Sequence, residues 1–118
     1  MTEVALPTAG IINADYVLDV ADNSMHTFGI HENDMVFIRA QDFAESGDFV
    51  IVMKNGDAFI RRYCKCGEGL EVFMAGHSGV PSIIADGDSN VQIVGKVVGI
   101  LRTFENDDQD GFREESVI

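Results

Sequence analysis

The stretch LDVADNSMHTFGIHENDMVFI, residues 18–38, decides how the rest of the chain is read. An apolar, strand-like run ends at Asp22-Asn23, Ser24-Met25 follows, and a second strand-like run begins at Asp34. A serine between two strands has two ordinary roles. It caps the short turn that follows a strand, using its hydroxyl to satisfy a free backbone N–H. Or it is a nucleophile, which requires a neighbouring group to take its proton.

Working outward, a chain of 118 residues makes one domain with a real core. No apolar run approaches the roughly 20 residues of a membrane helix, and no basic segment followed by an apolar one marks a signal peptide. The cytoplasm is therefore expected, with no membrane partner. The net charge of −12, with eight Lys and Arg together, argues against nucleic-acid contact through this chain's own surface, because phosphate binding needs a basic patch. The acidity concentrates in 105–118, ENDDQDGFREESVI, which reads as a solvated, disordered tail. Cys64 and Cys66 are expected to be reduced thiols on one face of a strand. A metal site would need further soft ligands, and the histidines His26, His31 and His77 are distant in sequence. No metal or other cofactor is expected.

Short β-branched and aromatic runs bounded by Gly, Asp and Asn dominate the chain. They predict strands over 16–21, 34–39, 48–53, 57–64, 70–74 and 91–104, with one short helical turn within 24–30. VIVMKNGDAFIRR is the clearest hairpin, since Asn55-Gly56 suits a tight turn with positive φ. Gly95 and Gly99 mark a bend or bulge in the last strand. The fold class is mainly β: a barrel-like domain of Gly-punctuated strands over 16–104, preceded by an arm over 1–15. Pro7 keeps that arm to a loop or an edge, and no DNA-binding module is read ahead of it.

Three kinds of proton acceptor are open to Ser24. A Ser-His-Asp set would draw on His26, His31 or His77, though neither His26, two residues away, nor His31, on the following loop, suits a known triad order. A Ser-Lys dyad needs a desolvated lysine, and the lysines are Lys54, Lys65 and Lys96. If there is no acceptor, Ser24 is a cap.

The chain resembles the C-terminal domain of the LexA repressor family, a signal-peptidase-like fold shared with phage repressors and UmuD-like proteins. Four segments carry the resemblance, in order, between about residues 15 and 104: ADYVLDVADNSMHTFGIHENDMVFI, ESGDFVIVMKNGDAFIRR, VPSIIAD and VQIVGKVVGILR. It implies a Ser-Lys dyad that cuts the protein's own arm, commonly at an Ala-Gly bond. Carried over by position, Ser24 is the nucleophile, the backbone N–H groups of Asn23 and Ser24 are the oxyanion donors, and Ala9-Gly10 is the cleavage site. The resemblance also implies a homodimer through the terminal strand, 91–104, the arm of the same or a neighbouring chain as peptide substrate, and an activator protein as in relatives.

Three departures qualify this. Where the family reads like VKRL, this chain reads IRRY, and the position of the general base holds Arg61. A lysine can be driven neutral by burial, whereas a guanidinium stays charged. Lys65 shares Arg61's strand parity, but four strand residues span roughly 13 Å. Asp22 stands where the family usually has glycine, and its carboxylate has two readings, a partner for Arg61 or a group that simply faces solvent. Finally, only 13 residues separate Gly10 from Ser24. If the arm folds back near Asn13–Asp15, roughly 20 Å or more remain to be bridged, which makes cleavage within the same chain geometrically hard and leaves two alternatives, cleavage of a neighbour's arm or Ala9-Gly10 as plain loop. Three readings follow: a regulatory, dimerising domain with self-cleavage weak or absent; an active serine-dependent autopeptidase; and an unrelated small β-barrel binding module.

Overall fold

Asn55 and Gly56 take positive φ, 52° and 88°, the left-handed pair that a two-residue hairpin turn requires. The turn joins β3 (Phe49–Lys54) to β4 (Asp57–Lys65) and sets their register from Lys54 opposite Asp57 to Val50 opposite Arg61. The computed structural model describes residues 13–87, 90–106 and 111–117. The other described strands are β1 (Tyr16–Asp19), β2 (Met35–Ala40), β5 (Glu71–Met74), β6 (Ile83–Ala85), β7 (Val91–Asn106) and β8 (Gly111–Val117). They form one antiparallel sheet in the order β1-β2-β7-β3-β4-β5-β6, with β8 beside β7. The expected mainly-β class with one short helical turn holds, the turn being a 3-10 segment at His26–Phe28.

β7 crosses both halves of the sheet. Its pairing with β2 shifts between Phe37 and Ile38, and its pairing with β3 shifts between Ile51 and Val52. Both irregularities lie next to a glycine of β7, Gly99 and Gly95, where the sequence reading put a bend. Each bulge bends the strand and helps the sheet enclose two cores. Ile51 packs with Val20, Met25, Ile30, Val36, Ile38 and Ile100. Its neighbours Val50 and Val52 point the other way and pack with Tyr63, Phe73, Ile83, Ala85 and Ile93. β3 is thus buried on both faces, which is why FVIVM is continuously apolar rather than alternating.

Two strands depart from the sequence reading. Ile83–Ala85, inside the Pro-containing VPSIIAD segment, pairs with β5; three residues are too few to show a period. Gly111–Val117 lies in the segment assigned from composition to a disordered tail, yet it pairs with β7 from Leu101 to Asn106. Composition counts charge, but it does not count the free N–H and C=O groups of a neighbouring edge, which a strand can satisfy. Residues 1–12, most of the predicted arm, lie outside the described residues, and with them Ala9 and Gly10.

Candidate functional site

Ser24 sits in the turn between β1 and the 3-10 segment, and buried neighbours fix that turn. Met25, 1% exposed, plugs into the first core. The Ile30 N–H donates to the Met25 carbonyl at 3.3 Å, closing the loop around it. From the β5–β6 loop, the Gly76 N–H donates to the Ser24 carbonyl at 2.7 Å, and the Thr27 N–H donates back to the Gly76 carbonyl at 2.8 Å. A Cβ on Gly76 would lie 3.0 Å from the Met25 backbone and 2.8 Å from the Phe28 ring, so only glycine permits this approach. Sequence reading missed Gly76. One glycine in AGHSG gives no sign that it pins a turn some fifty positions earlier.

Arg61 reaches Ser24 from β4. Strand alternation puts Phe59, Arg61 and Tyr63 on one face, while Arg62 turns the other way and stacks on Phe28 and Phe49. Arg61 is buried, 5% exposed. Its Nη1 donates to Ser24 Oγ at 3.4 Å and, more closely, to the Ile60 carbonyl at 2.8 Å. The guanidinium lies over the Phe59 ring at 5.1 Å, and Nε is buried with no hydrogen-bond partner among the described residues. Burial pushes the Arg61 pKa down, opposed by the charge of Asp22. Even so, a guanidinium does not give up its proton in the range where a lysine base works.

Asp22 does not pair with Arg61; among the described residues no carboxylate lies within 4.0 Å of that guanidinium. Instead the Asp22 Oδ1 accepts the Ser24 N–H at 3.0 Å. This backbone bond, then the Ser24 hydroxyl, hold the Asp22 carboxyl below the usual carboxylate range, with a smaller contribution from Arg61's charge and burial opposing. The consequence is chemical. The Ser24 N–H, which the resemblance made an oxyanion donor, already donates to the Asp22 carboxylate and is not free to take another acceptor.

Two cavities meet at Ser24. One, about 160 Å³, runs between Leu18–Asp22 and Ala58–Arg61. The other, about 390 Å³, is bounded by Asn23, Phe59, Arg61, His77, Val80 and Pro81. His77 is therefore the weighed histidine that the fold brings to the serine's cavity. His26 and His31 stack on each other, ring centroids 4.8 Å apart. The lysines stay away: Lys96 pairs with Asp48 at 3.6 Å, Lys54 sits beside the hairpin turn, and Lys65 ends β4. Among the described residues, no cluster of three or more His, Cys, Asp or Glu is arranged to hold a metal ion. No helix there is long and apolar enough to cross a membrane.

The chain is similar to LexA repressors. It is 33% identical to that of Geobacter metallireducens over 102 residues, covering 86% of this chain and 51% of the relative. It is 37% identical to that of Oenococcus oeni over 93 residues, covering 74% and 42%. LexA repressor 1 of Geobacter sulfurreducens is 29% identical over 128 residues, covering 88% and 64%. The chain thus spans about half the length of the curated relatives it matches. Residues 3–98, which hold the Ser24 turn, the β3–β4 hairpin and the first half of β7, match the Peptidase S24-like family model, and the chain belongs to that family.

Proposed function

We propose that this chain is the C-terminal regulatory and dimerising domain of a LexA-like transcriptional regulator, with the nucleophile position kept and self-cleavage weak or absent. The observation that carries the reading is the buried Arg61, whose Nη1 donates to Ser24 Oγ at 3.4 Å. A serine hydroxyl attacks only when a base accepts its proton, and a guanidinium in that place donates instead. Asp22 adds a second obstacle by occupying the Ser24 N–H. Family membership sets aside the reading as an unrelated β-barrel binding module.

Self-association belongs to the same proposal. β7 is lined by β3 over 91–96 and by β8 over 101–106, on the side away from β2. Residues 97–100 have no strand on that side among the described pairings, and they border an apolar cleft with Phe28, Ile30 and Phe49. Contact between copies is expected there. Light scattering at high concentration that finds only monomer would count against it.

The site is tested with a serine-reactive fluorophosphonate and by weighing fragments after alkaline incubation. The natural chain is expected to stay intact and unlabelled. Arg61→Lys should react, Asp22→Gly in that background should react faster, and Ser24→Ala should abolish both. An Arg61→Lys chain that remains inert would overturn the assignment of Ser24 as a nucleophile position. Ser24-dependent release of a fragment beginning at Gly10 from the natural chain would instead establish the alternative, an active autopeptidase cutting Ala9-Gly10. His77 is checked in the same assay, since labelling that survives Arg61→Leu but is lost with His77→Ala would move the base to the imidazole.

A further inference from the structure

Cys64 and Cys66 flank Lys65 at the end of β4. In an extended strand, residues two apart share a face but stand almost two residue rises apart. Here the strand stops between them. Cys66 begins the β4–β5 loop, where its N–H donates to the Leu70 carbonyl at 2.9 Å, and Gly67 and Gly69 take φ of 115° and 72°. This curl brings the two sulfurs to 3.0 Å. A disulfide bond is about 2.05 Å long, so about 1 Å of movement separates the dithiol from a bond. The glycine loop, lying outside the strand ladder, is where that movement costs least. Cys66 is exposed and Cys64 half-buried, and both are free thiols.

The geometry points to Cys64–Cys66 as a reversible oxidation site, a dithiol that takes a low-molecular-weight disulfide as its oxidant. The site is separate from the Ser24 cavity and does not depend on how that cavity is read. The exposed Cys66 exchanges first. Its thiolate attacks one sulfur of the oxidant, the oxidant's S–S bond breaks, and one small thiol leaves. The Cys64 thiolate then attacks the Cys66 sulfur, the mixed disulfide breaks, and a second small thiol leaves. The protein loses two electrons and two protons, and the oxidant gains both. A hydrogen bond to Cys64 holds the Cys66 proton above the usual thiol range, so exchange should quicken as pH rises. Exposure puts the product among reducible disulfides rather than structural ones.

The test is incubation of the full chain with excess oxidised glutathione. Intact mass is expected to fall by two hydrogens. Peptide mapping should join Cys64 to Cys66, and the protein should run as a single chain on a non-reducing denaturing gel. Excess reduced glutathione should restore both thiols. Cys64→Ser and Cys66→Ser should each retain one glutathione adduct, because no second thiol is left to displace it. An unchanged mass, a natural chain that keeps its glutathione adducts, or a disulfide between two chains would each overturn the proposal.

Discussion

Two arginines lie beside aspartates in this fold, and their surroundings are opposite. Arg102 Nε and Nη2 grip the Asp34 carboxylate at 2.7 Å each, and Nη2 also reaches the Gly29 carbonyl at 2.7 Å. Asp34, 1% exposed, also accepts the His31 N–H at 2.8 Å. Arg61, buried as deeply as much of the core, has among the described residues no carboxylate within 4.0 Å, one unpartnered nitrogen and a 3.4 Å contact to a serine. The first is a two-pronged ion pair that fastens the β1–β2 loop to β7. The second is a buried charge without an ion-pair partner among the described residues. Natural folds seldom leave a buried polar group unpaired without a reason in the site, and the function proposed above supplies one, an arginine at the position where the family's base would stand.

The largest effect should come from breaking the satisfied pair. Asp34→Ala leaves Arg102 without its carboxylate and is expected to cost about 3–5 kcal/mol in urea unfolding. That loss should depend on pH. Burial raises the Asp34 pKa, but the Arg102 hydrogen bonds, the His31 N–H and Arg102's charge outweigh it, and the net shift is downward. Because the folded value is depressed, the carboxylate's contribution is whole above about pH 4 and is lost as pH falls through the lowered folded value. The gap between the natural chain and Asp34→Ala should therefore close in acid. A gap that widens there would show that Asp34 is not the charged partner.

Gly76→Ala comes next. Its Cβ would press on the Met25 backbone and the Phe28 ring, so a loss of about 1–3 kcal/mol is expected. In an Arg61→Lys background it should also slow labelling at Ser24, a separate reading of the turn's position. Arg61→Met should be smaller and opposite in tendency, within about 1 kcal/mol of the natural chain and on the stabilising side, since an unpaired buried charge is exchanged for apolar volume. A loss as large as that of Asp34→Ala would erase the contrast between the two arginines. Ser24→Ala is expected to change stability by less than about 0.5 kcal/mol, because the turn is held by backbone bonds and the hydroxyl makes only the 3.4 Å contact to Arg61 and an interaction with the exposed Asp22 carboxylate.

Much of this was legible in the sequence, for local reasons. The Asn55-Gly56 turn, the Gly95 and Gly99 irregularities and the strands β1 to β5 and β7 follow from turn chemistry and side-chain period. The nearness of Arg61 to Ser24 followed from a resemblance carried position by position. The occupation of the Ser24 N–H by Asp22 did not, because the family pattern has no carboxylate there. β6 and β8 were not legible either, being too short or too charged to show a period. Their pairing depends on a free edge elsewhere in the sheet.

The sequence by itself determined the fold class, the position of the serine and the chemistry of its neighbour. Residue type sets whether a group can accept a proton, and no arrangement of the backbone turns a guanidinium into an amine. Tertiary structure decided that the Arg61 guanidinium is buried and donates more closely to the Ile60 carbonyl than to Ser24. It also decided that Asp22 turns to the Ser24 N–H rather than to Arg61. And it brought Gly76 and His77 to a turn they neither precede nor follow closely in the chain. Those outcomes rest on strand pairing and loop closure, which act between residues that sequence distance keeps apart.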